Sequence, residues 1–402
     1  MVDRGCAARG FNAEFLIGCI PAHQFDAFRR AGGTSRHADP ETAFAKDTSQ
    51  RLADLTATKN DVQFAWQSRL PLSFVASRQS KQIRAHGARV NDLAFQIRPC
   101  WLLANAGAQK IEDNRISMRL ITFSRAGGAA EPGVLIDDKV VSLRRAGFHD
   151  IPAALAGGED AIHAIEGFVN DAPSDAFVKR DDVRLLAPIP RPPKLICVGL
   201  NYRDHAAEAK AEIPGVPTIF NKFPSVVIGP GAPIVLPKNS EKPDFEAEFA
   251  FVIGKGGRHI AGGDWRQHVA GYTVINDVSA RDFQMATSQW LMGKTFDTFA
   301  PMGPWIVTAD EIEDPHALEI SLEIDGEELQ HSNTRELIFR IPELIQYLSS
   351  VVTLEPGDVV ATGTPAGVGF ARKPPRWLRP GDTVTVRIEG IGELTNPVVA
   401  ES

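Results

Sequence analysis

Residues 243–254 read PDFEAEFAFVIG. In an extended strand residues two apart share a side, so Glu246 and Glu248 face one way while Phe245, Ala247 and Phe249 face the other. Asp277 follows about thirty residues later at the end of a second strand-like run, in GYTVINDVSARDFQ (residues 271–284). Three crowded carboxylates repel one another unless a cation neutralises them. An all-oxygen set without Cys or His favours a hard ion such as Mg2+ or Mn2+. Taken alone, E-x-E also describes a solvated strand face.

Outward from this stretch, 402 residues with 43% hydrophobic content support two or three domains with a real core. A net charge of -7 argues against nonspecific nucleic-acid binding, which needs basic surface, and points to small molecules as partners. Cys6, Cys19, Cys100 and Cys197 have neither metal-like spacing nor dense pairing. No apolar run is long enough for a membrane helix and no secretory signal opens the chain, so the default expectation is a cytoplasmic protein.

The chain changes character at Met118. Residues 1–117 carry 16 basic and 11 acidic residues, with apolar pieces that follow no sustained period, and are expected to be an extension with little fixed structure. Their length and acidic content argue against an organelle presequence. Residues 118–187 read as a small module of strands RLITF, GVLID and KVVSL with helical patterns near IPAALAG and AIHAIEGFV. APIPRPPK (187–194) cannot continue a helix and reads as a linker into the main domain, 188–402. There strands dominate. LEISLEID and TVTVRIE alternate cleanly as half-buried antiparallel strands, and the best helix is PELIQYLSSVV, striped by Leu344, Ile345, Leu348 and one of Val351 or Val352. The expected fold class is therefore mainly β with short flanking helices (α+β), a sandwich-like or rolled core. TIM-barrel and Rossmann folds fit poorly.

Other residues carry potential chemistry. In GLNYRDHAAEAKAE (199–212), His205 and Glu208 stand three apart in a helix-favouring segment and share one face, as a base and its orienter would; an exposed helical pair is the plainer reading. RDFQ and GKTFDTF supply Arg281, Gln284 and Lys294, and a lysine beside a metal adds positive charge where a carboxylate or enolate sits. ATGTPAGVG (361–369) lacks the ending of a phosphate loop, so nucleotide binding is disfavoured; its backbone N–H groups and the Thr364 hydroxyl could approach a ligand carboxylate, or it could be a plain turn.

Taken in order, GLNYRDHAAE, FNKFPS, DFEAEFAFVIG, GYTVINDVSARDFQ, GKTFDTFAPMGP and TGTPAGVG resemble the fumarylacetoacetate hydrolase family over residues 118–402. The resemblance implies a mixed β-sandwich roll, usually a homodimer, that uses Mg2+ or Mn2+ on a short 2-oxo acid. It implies Glu246, Glu248 and Asp277 as metal ligands and His205 with Glu208 as the dyad of the acylpyruvase-like branch. It implies Lys294 as a catalytic cation, with Gln284, Thr364 and Arg281 on the substrate side. The expected reaction is hydrolytic C–C cleavage of an acylpyruvate or fumarylacetoacetate-like acid, with His205 activating water. Oxaloacetate tautomerisation or decarboxylation and hydroxymuconate-type isomerisation use the same site, and a noncatalytic metal- or acid-binding module stands as the reading of another class.

Overall fold

The computed structural model describes residues 117–402; the expected extension 1–117, apart from its last residue, lies outside the described residues. In chain order its strands begin with β1 (Arg119–Arg125), β2 (Glu131–Ile136), β3 (Lys139–Ser142), β4 (Phe177–Lys179), β5 (Val183–Leu186) and β6 (Leu195–Gly199). Then come β7 (Thr218–Asn221), β8 (Val227–Ile228), β9 (Ile234–Leu236), β10 (Pro243–Asp244), β11 (Ala247–Ile253), β12 (Val269–Asn276) and β13 (Ser279–Ala280). The last are β14 (Ala300–Thr308), β15 (Glu319–Ile324), β16 (Glu327–Asn333), β17 (Val359–Ala361), β18 (Thr383–Ile388) and β19 (Gly392–Ala400). A 12-stranded sheet runs β4-β3-β2-β1-β14-β12-β11-β17-β6-β7, with β5 and β8 as side branches, and a 5-stranded sheet runs β16-β15-β18-β19-β9.

The sandwich forms because β11 is apolar on both faces, which only a central strand can satisfy. Phe245, Ala247, Phe249, Phe251 and Ile253 look into one core, which the small sheet closes with Ile320, Leu322, Val384, Val386 and Leu394. Ala250 and Val252 look into the opposite core, covered by Ile151, Leu155, Ile165 and Val169 from the helices Ile151–Leu155 and Glu159–Asp171. The strands of residues 118–187 thus extend the main sheet through the β1–β14 pair, while their helices roof its other face. Phe251→Ala should cost about 3–5 kcal/mol, the range for a buried aromatic truncated to alanine, and lower the urea midpoint accordingly.

The mainly β class stands, and the pairing is mixed, as the resemblance implies. β6 joins β17, β8 joins β14 and β9 joins β19 in parallel. In the helix Ile341–Val351 the stripe of Leu344, Ile345 and Leu348 is buried, and Val352 packs on the core while Val351 points outward.

Candidate active site

The antiparallel register of β11 against β12 assembles the site. Ala247 lies opposite Asn276 and Glu248 opposite Ile275, so Glu246 and Asp277, just outside the strand ends, meet. Two hydrogen bonds lock this corner: Asp277 N–H donates to the Glu246 carbonyl (2.9 Å) and Glu246 N–H to Asn276 Oδ1 (3.1 Å). One carboxylate oxygen from each of Glu246, Glu248 and Asp277 then lies within 4.8 Å of the others. Their exposures of 6%, 1% and 0% rule out a solvated strand face.

Fixed cations surround the triad. Lys294 Nζ stands 2.8 Å from both Glu246 Oε2 and Asp277 Oδ2, and Arg281 Nη1 is 2.7 Å from Glu246 Oε1. Lys222 Nζ donates to Asp277 Oδ1 (2.5 Å) and to the Val278 carbonyl (3.0 Å). Burial alone would raise the Glu246 pKa, but Lys294 and Arg281 outweigh it and hold that carboxyl down at about 2. Among the described residues Glu248 is hydrogen-bonded only by the Gly363 N–H, at 3.1 Å. Burial pushes its pKa up, and the Asp277 and Glu246 charges push it further, well above the usual carboxylate range. Burial disfavours the charged form of Lys294, yet Asp277 and Glu246 keep its ammonium above its ordinary value. Oxygen-only donors, crowded anions and one carboxylate that no cationic side chain among the described residues contacts directly make this set fit a hard divalent ion.

A cavity of about 470 Å³ opens on this cluster. It gathers His205, Glu208, Glu246, Glu248, Arg281, Gln284, Lys294 and Thr364, with Asp277 buried beside it and not on its wall. The helix Arg203–Glu208 presents the dyad, with His205 Nδ1 3.1 Å from Glu208 Oε2. Its first turn is pinned by Arg203 Nη1 donating to the Leu337 carbonyl and by Asp204 Oδ2 accepting from Ser332 Oγ. The other polar positions are partly spoken for. Gln284 Oε1 accepts from Arg281 Nη1, and Thr364 Oγ1 accepts from Gln330 Nε2. The glycine-rich loop gives its N–H groups to the protein's own carboxylates: Gly363 to Glu248, Gly367 to Glu208 and Gly369 to Asp244.

Two charged residues at the site had drawn no role from the sequence, Lys222 and Asp244. Lys222 sits in FNKFPS, where a lysine reads as surface, and only the fold brings it to Asp277. Both side chains are fully buried, so Lys222→Met should cost about 3–5 kcal/mol by leaving a buried carboxylate short of a partner. Lys222→Met combined with Asp277→Leu should recover part of that loss, read as melting temperature; no recovery would mean the pair is not the source.

The family model for the fumarylacetoacetate (FAA) hydrolase C-terminal domain matches residues 194–399, and the chain belongs to this family of enzymes. It is 49% identical over 247 residues to an oxaloacetate tautomerase of Xenopus laevis, covering 61% of this chain and 77% of that protein. Its structure is similar to a fumarylacetoacetate hydrolase from Exiguobacterium antarcticum, with a TM-score of 0.62 and 37% identity. It is also similar to maleylpyruvate hydrolase from Sphingobium sp. SYK-6 in complex with manganese(II) and pyruvate, with a TM-score of 0.60 and 32% identity. Each likeness covers 71% of this chain and 100% of the other. The expectation of a plain cytoplasmic protein is overturned, because the tautomerase relatives are named mitochondrial. That expectation had rested on the absence of apolar signals, which does not distinguish cytoplasm from a mitochondrial compartment. Among the described residues no helix is long and apolar enough to cross a membrane.

Proposed function

We propose that this chain interconverts the keto and enol forms of oxaloacetate or a closely related 2-oxo diacid. The observation that carries the reading is the convergence of the dyad, the carboxylate triad and the Lys294 and Arg281 cations on one cavity. The names of relatives at about half identity favour proton transfer over the hydrolysis expected from the motifs.

With the His205 Nδ1–H hydrogen-bonded to the Glu208 carboxylate, Nε2 is left to accept a proton from the substrate. The C3–H bond breaks, its electron pair moves toward the C2 oxygen, and the imidazolium returns the proton to that oxygen. Lys294 balances the negative charge that develops there. Arg281 Nη2 makes no hydrogen bond among the described residues and is the guanidinium nitrogen left for a substrate carboxylate. A divalent cation held by Glu246, Glu248 and Asp277 would supply Lewis acidity that makes the C3 proton easier to remove.

The maleylpyruvate hydrolase neighbour supports a second reading, in which the same dyad deprotonates water for C–C cleavage. A turnover screen with Mg2+ or Mn2+ separates the two. Accelerated decay of enol-oxaloacetate absorbance is the expected result; release of pyruvate from acylpyruvates without that acceleration hands the site to hydrolysis. Binding without turnover of either class leaves a noncatalytic module.

A further inference from the structure

We infer that Asp244 is a positioning residue that couples the two arms of the site, the substrate-side guanidinium of Arg281 and the loop that orients Glu208. Asp244 is fully buried and is not on the cavity wall. Its two oxygens take four donors. Oδ1 accepts from Phe245 N–H (2.9 Å) and Gly369 N–H (2.8 Å), while Oδ2 accepts from Arg281 Nε (2.8 Å) and Phe370 N–H (3.0 Å).

On one side the Nε contact fixes the guanidinium plane, so that Nη1 reaches Glu246 and Gln284. On the other, Asp244 anchors the loop at residues 369 and 370, and two residues upstream Gly367 N–H donates to Glu208 Oε1 at 3.0 Å. Glu208 Oε2 in turn holds His205 Nδ1. A single carboxylate therefore sets both the direction of the base and the place of the cation that faces it. The glycine at 369 belongs to this device, because a Cβ there would run into the Arg376 carbonyl and the Asp244 carboxylate. Four donors need two acceptor oxygens. Asparagine would turn an NH2 group against one pair of them.

The inference rests on the roles proposed above for His205, Glu208 and Arg281. Its test is a double-mutant cycle in the full chain with Asp244→Asn and Glu208→Gln, read on kcat and KM. Asp244→Asn should lower kcat roughly 10- to 100-fold and raise KM for a dicarboxylate. The double variant should fall no more than about threefold below the worse single variant, because both changes act on one base. Multiplying effects, as a merely structural loss would give, overturn the coupling, and so does an unchanged Asp244→Asn enzyme.

Hydrogen exchange needs no substrate and keeps the inference separate from the proposed reaction. In Asp244→Asn the amides of residues 367–370 should exchange faster while those of β11 and β12 stay protected. If that variant does not fold, the wild-type chain decides. Its Gly367, Gly369 and Phe370 amides should open as one slow block, and fast, independent exchange in the folded protein overturns the inference.

Discussion

Glu248→Ala should abolish divalent-cation binding and turnover together. Glu246 and Asp277 are each held by two cationic side chains, so removing either strands buried positive charge and weakens the fold as well as the site. Among the described residues Glu248 takes only a backbone N–H, so its removal should cost a proposed metal ligand and little else. Mn2+ affinity should fall at least roughly 100-fold, the upper end of what losing an outer-shell partner does, with melting temperature in the absence of metal little changed. The wild type should bind more tightly as pH rises and release a proton on loading. Burial, Asp277 and Glu246 favour the protonated Glu248 carboxyl, which must ionise to become a ligand. An Mn2+ titration that Glu248→Ala leaves unchanged would remove the triad from the account.

His205→Ala should do the opposite to the balance of effects. The imidazole bonds to Glu208 and to none of the triad, so Mn2+ affinity should stay within about twofold while turnover falls roughly 100- to 10,000-fold, the usual cost of a lost general base. Glu208→Gln should lose less, since an amide still fills the place but no longer supports the imidazolium. If both variants keep wild-type rates on a proven substrate, another base carries the proton and the dyad only braces the helix.

What the sequence revealed and what it hid follow one physical division. β15 and β18 were legible because their inward positions are aliphatic and alternate with polar ones. β16 and β19 were not, because polar residues occupy inward positions and are satisfied from far along the chain. Gln330 bonds the Ala247 N–H and Pro365 carbonyl, and Asn396 bonds the Gly229 and Ala232 carbonyls. The site divides the same way. Glu246, Glu248 and the His205–Glu208 pair declare themselves by local spacing, whereas Lys222 reaches Asp277, 55 residues away, and Asp244 reaches Arg281 and Gly369, 37 and 125 residues away. Local patterns therefore exposed the groups that face the cavity and concealed those that hold them in place.

The segment that carries the two glutamates, Glu246 just before β11 and Glu248 within it, also polices its own alignment. Side chains alternate along β11, so a slip of one residue against β12 would drive Glu246 and Glu248 into the layer of Phe249, Tyr272 and Val274 and turn phenyl rings toward Lys294 and Asp277. Uncompensated carboxylates in such a layer carry a penalty of several kcal/mol each. The two glutamates should thereby disfavour misaligned forms of the sheet, and a variant with both made apolar should fold to a less uniquely registered sheet.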